Sequence, residues 1–351
     1  MNKITGIHGS SIPCVKIIST ANAFPVSGKW VLNEEIHELI HGKKWIEEMR
    51  KKKLDPDYYE KEYGFRKRYL VQFPKDSADK SRLTSADLME NAGRKAILQS
   101  NLNKKDISLL IAVSTTSHRY TTSLGAIVSG RLGLKCASFE MKAGCSSGIY
   151  ALVIASQFVS ATKGNVIIVS GETLSSIAPK EYLYAVGDGG AAVILGYTQN
   201  KKQGVKSYYL DSNGSYSDKM GVPGILPPSK EAFQKGEYLF KSSSDLNSVI
   251  EKKWKQIPKL LLQNSSIKPS EIKALVPHQV NSKLIEIGRK SAKISKDRVI
   301  NKVKDYGNCG QASILIALND AIKENRISQG DYFLLCAVGG GLAWGGILWR
   351  Y

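Results

Sequence analysis

Three residues of the 351-residue chain have the types and settings that acyl transfer needs. The run Lys142-Ala143-Gly144-Cys145-Ser146-Ser147-Gly148 puts Cys145 immediately before an apolar helical stretch. A thiol there lies beside unsatisfied backbone N–H groups and the positive end of the helix dipole, which lowers its pKa and favours the thiolate. The small neighbours leave room for a substrate. Val276-Pro277-His278-Gln279-Val280-Asn281 places His278 at the end of a short apolar strand, and Tyr306-Gly307-Asn308-Cys309-Gly310-Gln311-Ala312-Ser313 places Asn308 in a tight loop that opens another helix. Each has a purely structural explanation when taken alone: a small core thiol, a hydrogen-bonded core imidazole, a helix cap. Together they form a Cys/His/Asn constellation suited to a covalent thioester intermediate.

These residues sit at corresponding places in an internal repeat. Asp106-Ile107-Ser108-Leu109-Leu110-Ile111 is echoed 165 positions later by Glu271-Ile272-Lys273-Ala274-Leu275-Val276, and Gly164-Asn165-Val166-Ile167-Ile168-Val169 is echoed 166 positions later by Gly330-Asp331-Tyr332-Phe333-Leu334-Leu335. A third echo pairs Gly187–Leu195 with the glycine-rich run Gly339–Trp349 at a shorter offset, which implies an insertion at about 173–186 of the first copy. Short apolar runs at 109–113, 166–169, 192–195, 275–276, 333–336 and 347–349 predict strands. They alternate with helical patterns at 84–100, 145–161, 244–262 and 311–324, an α/β arrangement. The helix after Cys145 is apolar on nearly every face and is therefore predicted to be buried. Two such helices back to back between two sheets give a five-layer α-β-α-β-α sandwich. The charged, irregular stretch 24–83 is expected to cap the site or flank its mouth.

Composition sets the remaining bounds. The chain is 42% hydrophobic and 23% charged, an ordinary globular balance. No apolar run approaches the roughly 18–20 residues that span a bilayer, the first ten residues lack the apolar core of a signal peptide, and five scattered cysteines suggest no disulfide or zinc framework. A cytoplasmic location is the resulting expectation. The net charge of +19 points to an acidic partner, and residues 251–304 hold fourteen Lys or Arg against four Asp or Glu. Nucleic acid is not the expected partner, because no aromatic platform, zinc finger or helix-turn-helix pattern accompanies the charge.

With Gly144-Cys145, the His278 and Asn308 motifs, Gly64-Phe65-Arg66-Lys67-Arg68, Gly187-Asp188-Gly189, Asp211-Ser212-Asn213-Gly214-Ser215 and Gly339-Gly340-Gly341-Leu342-Ala343-Trp344-Gly345 in this order, the chain resembles β-ketoacyl-acyl-carrier-protein synthase III of the thiolase superfamily. The resemblance implies a duplicated thiolase-like sandwich with an N-terminal half over 1–200, carrying the cysteine and cap insertions, and a C-terminal half over 201–351, carrying His278, Asn308 and the glycine loop. It also implies a homodimer and a two-step reaction. Cys145 takes an acyl group from an acyl-CoA or acyl-carrier thioester, its oxyanion held by the N–H groups of Cys145 and Gly340. His278 and Asn308 then hold the enolate formed by decarboxylation of a malonyl-type acyl-carrier thioester. No metal or redox cofactor is implied.

The same resemblance assigns acyl-carrier-protein docking to Lys283, with Arg289 and Lys290 beside it. Departures from the family pattern bear on the substrate. Tyr58 and Glu62 stand where members that start fatty-acid synthesis carry a tryptophan and an arginine for coenzyme A, which favours a carrier-bound donor. Thr121 stands at the dimer-borne wall of the acyl pocket in place of an aromatic ring, which leaves room for a medium or long acyl chain. Alternatives within the enzyme class are joining two β-ketoacyl chains or esterifying an alcohol. The non-enzyme alternative is a basic thiolase-fold binding subunit.

Overall fold

The computed structural model describes residues 6–25, 30–73 and 83–351. Two sheets carry the molecule. In the first, the strands run in the order Val15–Ala23, Asp188–Tyr197, Asn165–Thr173, Ile107–Val113, Ala137–Met141; in the second, Ile7–Gly9, Gly204–Ser212, Ala343–Arg350, Tyr332–Gly339, Ile272–Pro277. All three repeat echoes fall on equivalent strands. Ile107–Val113 is parallel to Asn165–Thr173 as Ile272–Pro277 is to Tyr332–Gly339, and in both sheets the next strand outward is antiparallel.

The helices Ser147–Thr162 and Ala312–Lys323 lie between the sheets, Ser85–Ser100 and Leu124–Leu132 cover the first sheet's outer face, and Leu246–Gln263 and Ser282–Ala292 cover the second's. This is the five-layer thiolase-like sandwich. Its largest core joins Ile149, Leu152 and Val153 to Ile314, Leu315 and Leu318, all at most 1% exposed. Burying such side chains contributes about 1.5–3 kcal/mol each relative to leaving them in water. Gly144–Thr162 is also the one described segment long and apolar enough to cross a membrane, a length the strand-by-strand reading of apolar runs did not register. Its place between two sheets accounts for that composition.

Strands Ile7–Gly9 and Ile12–Pro13 pair with Gly204–Ser212, so the first described strands join the sheet of the second half. The region 30–73 forms three short helices, Asn33–His41, Trp45–Lys51 and Tyr58–Tyr63. They are fastened to the insertion of the first copy by stacked Tyr59 and Tyr184, with centroids 3.8 Å apart, and by a 2.6 Å hydrogen bond between Tyr184 and His37 Nδ1. Buried Arg68 adds a third tie by donating to the Tyr184 carbonyl at 2.5 Å.

Candidate active site

Cys145 lies two residues before the first residue of the central helix, and the turn that presents it is closed by its neighbours. Gly144 has φ +52°, a left-handed conformation in which any side chain would be strained. Ser147 Oγ accepts from Ala143 N–H at 2.7 Å and donates to the Gly144 carbonyl at 2.8 Å. The C-terminal glycine loop packs directly on this turn. A Cβ on Gly144 would lie 2.4 Å from the Gly340 carbonyl oxygen and 2.6 Å from its nitrogen, and a Cβ on Gly339 would lie 2.1 Å from Cys145 N. Gly340 and the Cys145 backbone are thus neighbours, as an oxyanion site requires.

The thiol itself departs from the sequence expectation. Enclosure by protein pushes its pKa up to about 12, the negative charge of Glu172 pushes the same way, and its own backbone N–H opposes both weakly. Cys145 is a thiol in the free protein, and thiolate formation requires a proton acceptor.

His278 is enclosed as well. It ends the strand Ile272–Pro277, held by its N–H donating to Cys336 O at 2.8 Å. Gln279 braces the following turn: its amide nitrogen donates to Pro277 O and Ile300 O, and its oxygen accepts from Lys302 N–H. The ring is 1% exposed, and neither nitrogen has a hydrogen-bond partner among the described residues. Burial lowers its pKa to about 3, so the imidazole is neutral, with one nitrogen free to accept a proton and the other to donate. Asn308 is fixed by backbone on both sides, donating to Ala185 O at 2.7 Å and accepting from Gly187 N–H at 2.9 Å. Its Oδ1 accepts from Gly310 N–H at 2.9 Å, which orients the amide and leaves its NH2 to donate.

Cys145, Asn308 and Gly340 line one cavity of about 820 Å³. Its walls are mostly aromatic and aliphatic, including Tyr59, Phe65, Leu174, Tyr184 and Phe240, and Val280 and Asn281 from the turn after His278 complete it. A second cavity of about 700 Å³ meets the first at Lys142, Gly144, Gly340 and Gly341 and opens past Phe139, Tyr150 and Ile154. No described group of His, Cys, Asp and Glu has the arrangement of a metal site. The sequence reading missed most of the cavity wall; apolar residues inside the 173–186 insertion were its only signal.

The remaining predicted residues lie outside this cavity. Thr121 is exposed on the loop that leads to the helix Leu124–Leu132 and does not line its own chain's cavity. Lys283, Arg289 and Lys290 share the helix Ser282–Ala292. Arg289 is tied to Glu286 at 2.6 Å and to Ile294 O, whereas Lys290 approaches Glu286 only at 3.8 Å. Lys283 meets Glu62 at 2.5 Å and lies over the Tyr63 ring. Glu62 is therefore not an isolated negative charge at the mouth. With Glu60–Lys304 at 3.3 Å it ties the helix Tyr58–Tyr63 to the second half, an attachment that sequence spacing could not reveal.

The 3-oxoacyl-[acyl-carrier-protein] synthase III family matches residues 139–214, and the C-terminal family of the same enzymes matches residues 262–351. The β-ketoacyl-[acyl-carrier-protein] synthase III of Caldanaerobacter subterraneus subsp. tengcongensis is 32% identical over 276 residues, 76% of this chain and 83% of that protein. The chain belongs to the β-ketoacyl-[acyl-carrier-protein] synthase III family. As a member, it is an acyltransferase of the condensing class. The Methylococcus capsulatus synthase III is 30% identical over 82% of this chain and 88% of its own. The crystal structure of the Aquifex aeolicus synthase III superposes with a TM-score of 0.80 at 26% identity, covering 96% of this chain and all of that one. Cerulenin-bound OleA of Xanthomonas campestris, at 20% identity and a TM-score of 0.78, shares the fold, with 96% of this chain and 97% of OleA covered.

Proposed function

We propose that this synthase III-like enzyme loads a medium or long acyl group onto Cys145 and condenses it with a malonyl-type acyl-carrier thioester. The observation that carries the reading is the single largely apolar cavity shared by Cys145, Asn308 and Gly340. In the first step, the thiol proton passes to neutral His278 as sulfur attacks the donor carbonyl. The oxyanion is held by the N–H groups of Cys145 and Gly340, and the donor's carrier thiol leaves with a proton. In the second, the malonyl-type thioester loses carbon dioxide. The resulting enolate oxygen accepts hydrogen bonds from His278 and the Asn308 NH2, and its carbon attacks the acyl-cysteine. Cys145 leaves as thiolate and is reprotonated. The scheme uses no metal or redox cofactor.

In this reading the enzyme works as a cytoplasmic homodimer on fatty-acid or specialised-metabolite precursors. Lys283, Arg289 and Lys290 meet acidic acyl carrier protein, and Thr121 reaches the partner's acyl pocket. Support for a long chain comes from threonine's small volume and the open second cavity beside Gly144. Support for a carrier-bound donor comes from Glu62, which stands in place of an arginine and holds Lys283 in an ion pair. Incubation with acetyl, octanoyl and dodecanoyl thioesters on coenzyme A and on acyl carrier protein, read by intact mass, tests the donor carrier and the chain length. The expected result is preferential octanoyl or dodecanoyl loading from the carrier protein, with Thr121→Phe turning preference toward acetyl. Each methylene excluded from an apolar pocket forfeits about 0.8 kcal/mol. Exclusive acetylation of the wild-type protein would overturn the long-chain assignment.

A further inference from the structure

Glu172 is a wholly buried carboxylate that the reaction just described does not use. It stands near the end of the strand Asn165–Thr173. Its Oε1 accepts from Thr115 N–H at 2.9 Å, and its Oε2 accepts from Thr115 Oγ1 at 3.0 Å, Thr116 Oγ1 at 2.8 Å and Ser114 Oγ at 3.4 Å. Thr116 Oγ1 in turn accepts from Thr173 N–H at 3.0 Å. Thr115 is a wall of the Cys145 cavity. On its other side the carboxylate abuts Gly310: a Cβ there would lie 3.2 Å from Glu172 Cγ and 3.4 Å from its carboxyl carbon. Gly310 N–H is the donor that orients the Asn308 amide.

We propose that Glu172 is a positioning residue for condensation, holding Gly310 and hence the Asn308 amide against the cavity. The proposal rests on the two-step reading of the site. Its first effect is geometric, since the contact with Gly310 fixes which way the Asn308 NH2 points. Its second is electrostatic. Burial raises the Glu172 pKa to about 7 against the pull of its Thr115 and Thr116 hydrogen bonds, and the ionised form raises the thiols of Cys145 and Cys309. Asp188, itself raised to about 6 by burial, is the other carboxylate acting on Cys309.

Glu172→Gln and Glu172→Asp in the full-length protein separate these effects. Three quantities are read: octanoyl loading of Cys145 by intact mass, carbon dioxide release from a malonyl-carrier thioester, and the pH midpoint of iodoacetamide alkylation at Cys145. In Glu172→Gln, loading should stay within about threefold of wild type, condensation should fall at least about tenfold, and the alkylation midpoint should drop by about one pH unit. Glu172→Asp keeps the charge on a shorter stem, so it should lose condensation while holding the midpoint. Equal losses of loading and condensation, or an unmoved midpoint in Glu172→Gln, would overturn the proposal. If Glu172→Gln does not fold, Glu172→Asp decides alone, and condensation at the wild-type rate would overturn it. Failure of the wild-type protein to take up any acyl group is a different result, which sinks the synthase reading itself.

Discussion

The two halves enter their central helices through the same turn and put different chemistry on it. In the first half, Ser146 N–H donates to Ala143 O and Ser147 N–H to Gly144 O; in the second, Ala312 N–H donates to Cys309 O and Ser313 N–H to Gly310 O. The pivotal glycines have φ of +52° and +51°. The residue after the glycine is Cys145 in one copy and Gln311 in the other. Cys145 is half-buried on the cavity wall, whereas Gln311 is fully buried and its amide has no hydrogen-bond partner among the described residues. The second half instead presents chemistry on the segments before its helix, at His278 and Asn308. A duplicated scaffold thus brings Cys145 from one copy and Asn308 from the other to a common cavity without altering the turn.

The largest expected effect would break this division of labour. Cys145→Ala should abolish covalent acylation, since the other hydroxyls of the turn, Ser146 and Ser147, are buried and donate to Ala143 O and Gly144 O. Asn308→Ala should retain most acylation while losing roughly 10²–10³-fold in condensation, the usual cost of removing one oxyanion donor. Intact mass for loading and product formation for condensation measure the two. Equal loss of both steps in a folded Asn308→Ala protein would mean that the halves do not divide the reaction.

An intermediate effect concerns proton binding in the second half. His278 has a folded pKa of about 3 against 6.5 unfolded, so the unfolded chain binds the extra proton between those values. The stability contributed by keeping this ring neutral is present above pH 6.5 and is lost as pH falls toward 3. Between pH 7 and pH 5 the loss should be about 2 kcal/mol. His278→Gln, which cannot titrate, should show a correspondingly flatter stability profile in urea titrations at the two pH values. Parallel profiles for wild type and variant would show that the imidazole is not held neutral by the fold.

The smallest expected effect sharpens the contrast at the surface. Lys283→Glu places two carboxylates together at the mouth and should raise KM for a carrier-protein substrate several-fold, with little change for a small neutral thioester. Glu62→Gln frees Lys283 and should lower that KM. Both shifts should shrink in high salt, as expected for exposed charges. If both variants weaken both substrates alike, the pair serves to hold the helix Tyr58–Tyr63 and has no part in docking.

Much of the fold was legible because strong patterns coincide with buried elements. The sequence reading placed helices at 84–100, 145–161, 244–262 and 311–324, and the structure has them at Ser85–Ser100, Ser147–Thr162, Leu246–Gln263 and Ala312–Lys323. The strands it omitted are of another kind. Val15–Ala23 carries Lys16 and Asn22 among apolar residues, Gly204–Ser212 mixes tyrosines with Lys206 and Ser207, and Ala137–Met141 is an edge strand with little buried surface. Such strands are defined by their neighbours in the sheet, and a mixed sequence gives no run to detect.

The sequence by itself determined the family and pointed to Cys145, His278 and Asn308 as the candidate site, because these rest on residue types at fixed offsets. Tertiary structure decided their physical state. The helix-start rule predicted an acidic thiol, yet enclosure and the Glu172 carboxylate, 27 positions away in sequence, raise Cys145 to about 12. It also decided that Glu62 and Lys283, 221 positions apart, meet as an ion pair. Covalent order fixes which groups a chain possesses. Solvation and charge depend on what packs around each group, and that is set only when distant segments close over it.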